Sequence, residues 1–90
     1  MMQELVEKAK NILRGRQMAY QNIFHPESVA AKRVLADLAH FCRANESTFH
    51  PNPQVQAELE GRREVWLRIQ HFTKLDPEQL WKVYGKKDAQ

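Results

Sequence analysis

Cysteine and histidine are the residues of this chain best suited to metal or nucleophilic chemistry. Cys42 lies between His40 and His50, and His71 follows later in the chain. Both residue types are good zinc ligands, but on a helix His40 and Cys42 would point about 200° apart and would not converge on one ion. Cys42 also falls on an apolar stripe, where a free cysteine behaves as a small hydrophobic residue. The sequence therefore predicts no metal site and no cofactor.

A nucleophilic pair of Cys42 with His40 or His71 is the other chemistry that these residues suggest. Nothing in the sequence arranges a third group or an oxyanion donor around such a pair, and a chain of ninety residues offers little room for a cleft. A single cysteine also excludes an internal disulfide. We expect no catalytic residues, and hence a protein that is not an enzyme.

Basic residues of the first segment are the candidates for contact with nucleic acid. They are Lys8, Lys10, Arg14 and Arg16. Dedicated nucleic-acid modules usually carry a basic stripe, whereas this chain has a net charge of only +3 and mixes both signs along its length. The link between the second and third predicted helices is also longer than the turn of about three or four residues in a helix-turn-helix. A small regulatory protein that binds nucleic acid through its first helix is therefore the alternative function.

A glycine followed by two arginines stands in the middle of the third predicted helix. We expect Gly61 to let a neighbouring helix approach closely, and Arg62 to border the core on the same side of the helix as Trp66. Arg63 points further outward, where a guanidinium can bind a carboxylate or phosphate of a partner. The sequence thus predicts structural roles for Gly61, Arg62 and Trp66, and a partner contact for Arg63.

Two aromatic residues near the C-terminal end, Trp81 and Tyr84, lie on a short predicted helix. Such residues often cover a core, and they are also enriched among the interface residues that dominate binding free energies. We therefore interpret Trp81 and Tyr84 as further candidates for contact with a partner or with another copy of the chain.

Four helices account for the periodic apolar residues, with breaks at prolines and asparagines. The predicted spans are residues 3–24, 26–45, 53–73 and 77–84. Gly15 predicts a kink or break in the first helix, because glycine costs about 1 kcal/mol relative to alanine there. Asn45 is expected to end the second helix in a left-handed conformation and Gly85 to end the fourth. We expect residues 85–90 to form a flexible tail.

The second helix carries the most regular apolar stripe of the chain, and we expect it to face the core. Its members are Ala31, Val34, Leu35, Leu38, Phe41 and Cys42. In the loop that follows, Phe49 is the only large apolar residue and is expected to pin the loop to the core. The predicted fold is all-α, a compact bundle of three main helices plus a short C-terminal helix in a single domain, residues 1–90.

The composition of the chain is that of a small globular domain. Apolar residues make up 42% of the chain and charged residues 28%, both ordinary for a globular domain. A domain this small has a small core, so partner subunits can add to its stability. No apolar run approaches the roughly 18 residues of a membrane span, and the N-terminus does not resemble a signal peptide. We expect no membrane association and synthesis in a cytoplasm.

Two segments taken together resemble a family of small bacteriophage proteins. Residues 34–42 read Val-Leu-Ala-Asp-Leu-Ala-His-Phe-Cys, and Glu-Gly-Arg-Arg follows at residues 60–63. The family consists of structural or virion-associated proteins of short-tailed phages, encoded among head and packaging genes. The resemblance spans roughly residues 20–80. It implies a non-enzymatic structural or morphogenesis protein that assembles with itself or with head, portal or ejection components, first in the host cytoplasm and then in the virion. An adaptor or inhibitor of a host protein is a third class, which the sequence does not separate from the first.

Overall fold

The computed structural model describes residues 1–88 and contains four helices in that range. Helix α1 spans Met2–Ile23, α2 spans Val29–Phe41, α3 spans Pro53–Lys74 and α4 spans Pro77–Asp88. Residues 1–88 include no strand, and none of their helices is long and apolar enough to cross a membrane. The predicted all-α class, with three main helices and a short C-terminal one, is confirmed.

Side-chain caps fix where α3 and α4 begin. The side chain of Asn52 accepts a hydrogen bond of 2.9 Å from the backbone N–H of Gln54, directly before the proline that opens α3. At α4, the carboxylate of Asp76 accepts from the N–H of Gln79 at 2.8 Å, and the amide oxygen of Gln79 accepts from the N–H of Asp76 at 3.1 Å. This reciprocal pair is a capping box.

Helix α2 is shorter than predicted at both ends. The hydroxyl of Ser28 accepts a hydrogen bond of 3.1 Å from the backbone N–H of Ala31, so the helix begins after Ser28 and not at Pro26. At the other end, Arg43 takes the left-handed conformation predicted for Asn45, with φ 53°. The N–H of Ala44 bonds to the carbonyl of residue 39, which closes a Schellman motif around Arg43.

The sequence predicted a kink or break at Gly15 and the end of the fourth helix at Gly85, but both helices continue through the glycine. Helix α1 passes through Gly15 without a break. Helix α4 continues beyond Gly85 to Asp88, because Gly85 serves side-chain packing and not chain termination. A Cβ atom at Gly85 would lie 2.5 Å from ring carbons of Trp81, one helical turn earlier, so the indole occupies the space above the glycine. Of the predicted flexible tail, residues 89 and 90 lie outside the described range.

The core forms where α1, α3 and α4 meet. Leu13, Phe72 and Leu80, one from each helix, are buried together. The ring of Tyr20 stacks on that of Phe72, with 4.7 Å between their centroids. The buried side chain of Gln17 donates a hydrogen bond of 2.6 Å to the backbone carbonyl of residue 75, which ties α1 to the turn between α3 and α4. Helix α2 packs on α3 beside this core.

The helices form a flat molecule with a large surface. Its Cα atoms extend over 49 × 35 × 14 Å, and their radius of gyration is 15.5 Å, compared with about 12 Å for a typical domain of this length. The accessible surface is 7037 Å², compared with about 5,500 Å² for a folded monomer of this mass. Part of this larger surface is apolar, because large apolar side chains on several helices, among them Leu5, Val34 and Val65, are exposed.

Candidate interaction surfaces

Arg62 and Arg63 connect α3 to its neighbours within the chain. Arg62 forms an ion pair of 3.0 Å with Glu58, and its guanidinium carbon lies 4.4 Å from the ring centroid of Phe41 on α2. Arg63 donates a hydrogen bond of 3.1 Å to the backbone carbonyl of Glu46 in the loop after α2. Arg62 therefore has the expected structural contacts. Arg63, predicted to contact a partner, holds the loop against α3, and its role toward a partner stays a prediction.

Two sequence predictions about packing are wrong. Apart from the glycine itself, its two chain neighbours and the nearby backbone of α3, no atom lies within 4 Å of the place that a Cβ would take at Gly61, so no other helix among residues 1–88 approaches there and the glycine is exposed on α3. Phe49 is 72% exposed and does not pin its loop to the core. Hydrogen bonds of polar groups shape that loop instead, including that of Arg63. Trp66 is half-buried on α3.

Trp81 and Tyr84 are both half-buried but differ in the contacts that they make. Trp81 packs against the core cluster while half-buried, and the amine of Lys10 lies 5.5 Å from its ring centroid. The hydroxyl of Tyr84 shares a hydrogen bond of 2.8 Å with Nδ1 of His71, and its ring centroid lies 5.2 Å from that of Phe72. Tyr84 is thus held mainly within the chain, whereas Trp81 keeps an accessible edge.

The four basic residues proposed for nucleic acid do not form one stripe. Lys10 and Arg14 line a groove between α1 and α4 that also includes the carboxylates of Glu7 and Glu78. Lys8 and Arg16 line another groove between the same two helices. At about 100° per residue, Lys8 points roughly 160° away from Lys10 around α1. Contact with nucleic acid therefore stays a prediction without a basic face to support it.

The residues considered for metal or nucleophilic chemistry are engaged in separate parts of the fold's own contacts. Cys42 is buried and has a free thiol, His71 bonds to Tyr84, and Nδ1 of His50 accepts from the N–H of Asn52 at 3.0 Å. In the described part of the chain, no three His, Cys, Asp or Glu residues gather closely enough to hold a metal ion. These side chains make structural contacts in the fold.

The apolar stripe of α2 is only partly covered. Ala31 and Cys42 are buried, and Leu35 and Leu38 are half-buried. Val34 and Phe41, on one edge of the stripe, are exposed. The prediction that the whole stripe faces the core is therefore wrong. One edge of α2 is thus left in solvent, where Arg62 lies over the ring of Phe41.

Helix α1 carries a broad apolar face, and only one flank of it is buried. Leu13 and Tyr20 face α3 and α4, whereas Leu5, Ile12 and Ile23 are exposed. The exposed side alternates spacings of three and four residues, with one arginine among its members. We call this set the α1 seam; it consists of Met2, Leu5, Ala9, Ile12, Arg16, Ala19 and Ile23. Such spacing is typical of helices that pair with another helix. The sequence alone did not distinguish the seam from the buried flank of α1, because the apolar residues of both follow a helical period.

The α1 seam borders a groove on α4. Leu5, Ala9 and Ile12 line this groove on one side, and Trp81 and Gly85 line it on the other. The accessible edge of Trp81 thus continues the apolar surface of the seam onto α4. Together these residues form an apolar surface that extends over α1 and α4, and Lys8 and Arg16 also line the groove.

Comparison with known proteins adds one finding. A sequence model of the Bbp19-like phage proteins matches residues 20–83, which covers α2, α3 and most of α4. The chain belongs to this phage protein family. The resemblance seen in the sequence is confirmed at this level, that of a phage protein family. Neither a curated protein nor a solved structure matches the chain significantly.

Proposed function

We propose that this Bbp19-like protein is a non-enzymatic structural or morphogenesis component of a phage. In this role it assembles with copies of itself or with head, portal or ejection components. The observation that carries the proposal is the exposed apolar surface of a phage family member, on α1 and along one edge of α2. Contiguous apolar surface of this kind marks sites of protein association.

We also propose where the protein is made and where it acts. It is made in the host cytoplasm and then incorporated in the particle of a short-tailed phage. Its contribution is to bind neighbouring proteins and not to catalyse a reaction. The absence of a basic face on α1 makes nucleic acid a less suitable partner, because affinity for the phosphate backbone depends on several cations that act together.

Mass spectrometry of purified phage particles tests the proposal. We expect the protein in mature virions or in assembly intermediates, at a constant ratio to the major capsid protein across independent preparations. A phage replication protein made in the same infection serves as the control for contamination and should be absent. If the protein is missing from both mature particles and intermediates, the proposal is wrong.

Binding to random duplex DNA at two salt concentrations tests the alternative function, that of a regulatory protein that binds nucleic acid. A structural component should bind weakly at low salt and not at all at physiological salt. Tight binding that weakens steeply with salt, together with absence from particles, would instead favour the regulatory nucleic-acid-binding protein. Substituting Lys10 and Arg14 by glutamine would then reduce the affinity, whereas substituting the exposed Gln21 would not.

A further inference from the structure

We propose that the α1 seam binds the α1 seam of a second copy of this chain, in antiparallel orientation. The inference develops the self-assembly part of the proposed function by naming the surface and the partner. Leu5 is 64% exposed and Ile12 is 59% exposed, although both lie next to a buried flank of the same helix, about 80° around the axis from Leu13 and Tyr20 respectively. A helix with apolar residues at alternating spacings of three and four is complementary to another helix of the same spacing. A second copy of the chain has the same spacing on its own α1.

The length of α1 allows a contact of the size that a stable dimer needs. Helix α1 has 22 residues and is therefore about 33 Å long. A standard interface buries about 800 Å² on each partner. With an accessible surface of 7037 Å², the chain exposes roughly 1,500 Å² more than a folded monomer of its mass. Pairing through α1 and the adjoining edge of α4 would thus remove about half of the excess.

The charges on α1 favour the antiparallel orientation. A parallel, in-register pair would place Arg16 of one copy beside Arg16 of the other, inside the seam. An antiparallel pair that sets Ala9 opposite Ile12 of the second copy places Arg16 opposite Leu5 and next to Glu4 of that copy. The guanidinium then meets a carboxylate at the edge of the contact, and the dipoles of the two helices oppose each other favourably. A polar residue at one position of such a seam fixes the register.

The groove beside the seam adds to this contact. Trp81 forms its wall on α4, and it lies flat over Gly85, which keeps the indole low and the groove open. The second helix can therefore lie over the seam with its edge against Trp81. Tryptophan is enriched among the residues that contribute most to the binding free energy of protein interfaces. The pairing assigns Trp81 a role in self-association.

Sedimentation equilibrium of the purified chain tests the pairing. We expect a mass of twice 10.6 kDa that dissociates on dilution. Ile12→Glu should weaken association by about 100-fold or more, because each dimer would bury two carboxylates in an apolar contact. Met18→Glu is the matched control, since Met18 is 64% exposed on the same helix but points about 120° away from Ile12 and should leave the mass unchanged. Circular dichroism confirms that both variants stay helical.

Charge reversal and disulfide trapping test the orientation. Glu4→Arg should weaken the dimer, and Glu4→Arg combined with Arg16→Glu should restore it. In a mixture of chains carrying Leu5→Cys and chains carrying Arg16→Cys, an antiparallel pair gives mainly the mixed disulfide, since bridged Cα atoms must lie within about 7 Å. A parallel pair gives the two symmetric products.

Three outcomes would overturn the inference. They are a chain that is monomeric up to millimolar concentration, association that survives Ile12→Glu, and symmetric disulfides in the trapping experiment. None of these bears on whether the protein is found in particles, so the proposed function stands or falls separately by mass spectrometry.

Discussion

Each of the three glycines of this chain lies in a helix, yet their surroundings differ. A Cβ atom added at Gly15 or Gly61 would have no neighbour within 4 Å, whereas one added at Gly85 would lie 2.5 Å from the ring of Trp81. The residue type is thus required for packing only at Gly85. At the other two positions glycine reduces helix stability without any compensating contact inside the chain.

Alanine at these positions should have effects of opposite sign. Gly15→Ala and Gly61→Ala should each stabilise the fold by about 1 kcal/mol, from helix propensity alone. Gly85→Ala should destabilise it by about 1–3 kcal/mol, because the indole must move out of its position. Urea denaturation of the three variants measures the difference. A stabilising Gly85→Ala would show that the packing of Trp81 does not depend on this glycine.

Gln17 is the one buried polar side chain in the region for which burial is described. Gln17→Met keeps the length of the side chain but removes the donor, so that the carbonyl of Leu75 loses its partner. We expect a loss of about 1–3 kcal/mol in the free energy of unfolding. The control Gln21→Met, on the exposed part of the same helix, should change it by less than about 0.5 kcal/mol. Equal effects of the two substitutions would contradict the structural role of Gln17.

At the scale of the elements, two arginines of α3 hold the C-terminal end of α2 and the loop that follows it. Arg62 of α3 lies against Phe41, and Arg63 binds the loop that follows α2. The turn between them requires Arg43 to adopt a positive φ, which costs a residue other than glycine about 1 kcal/mol. Arg43 offsets part of this cost with a hydrogen bond of 3.3 Å to the carbonyl of Ser47.

Arg43→Gly separates these two contributions. Glycine relieves the backbone at the end of α2, and the lost hydrogen bond is exposed and therefore weak. We expect a net stabilisation of about 0.5–1 kcal/mol. Arg43→Ala, which loses the same hydrogen bond but keeps the Cβ, should be destabilising. Thermal unfolding of both variants under one condition measures the contrast, and equal melting temperatures would rule out backbone strain as the relevant term.

For the whole molecule, the flat shape and the exposed seam connect folding to association. A dimer stabilises the native chain by mass action, since the unfolded chain has no partner to bind. We expect the melting temperature of the wild-type chain to rise with protein concentration. That of Ile12→Glu should be independent of concentration, and Met18→Glu should behave like the wild type. A concentration-independent melting temperature for the wild type would contradict this coupling.

Local interactions made most of the fold predictable from the sequence. Caps such as Asn52 and the pair of Asp76 with Gln79 act within four residues, so α3 and α4 begin where the sequence places them. The phage family could also be recognised from two short segments. The C-terminal ends of α2 and α4 were less predictable. Asparagine and glycine often end a helix, but α2 ends before Asn45 and α4 continues beyond Gly85.

Which apolar side of a helix is buried could be decided only by the tertiary structure. Leu13 and Leu5 fit the helical period of α1 equally well, and the sequence alone does not distinguish the side that faces Phe72 from the side that faces solvent. The same holds for Phe41 and Phe49, whose burial depends on how much of α3 is available to cover them. Helix formation depends on neighbours along the chain, whereas burial depends on residues far away in sequence, and so the interaction surface emerged only once the helices were packed.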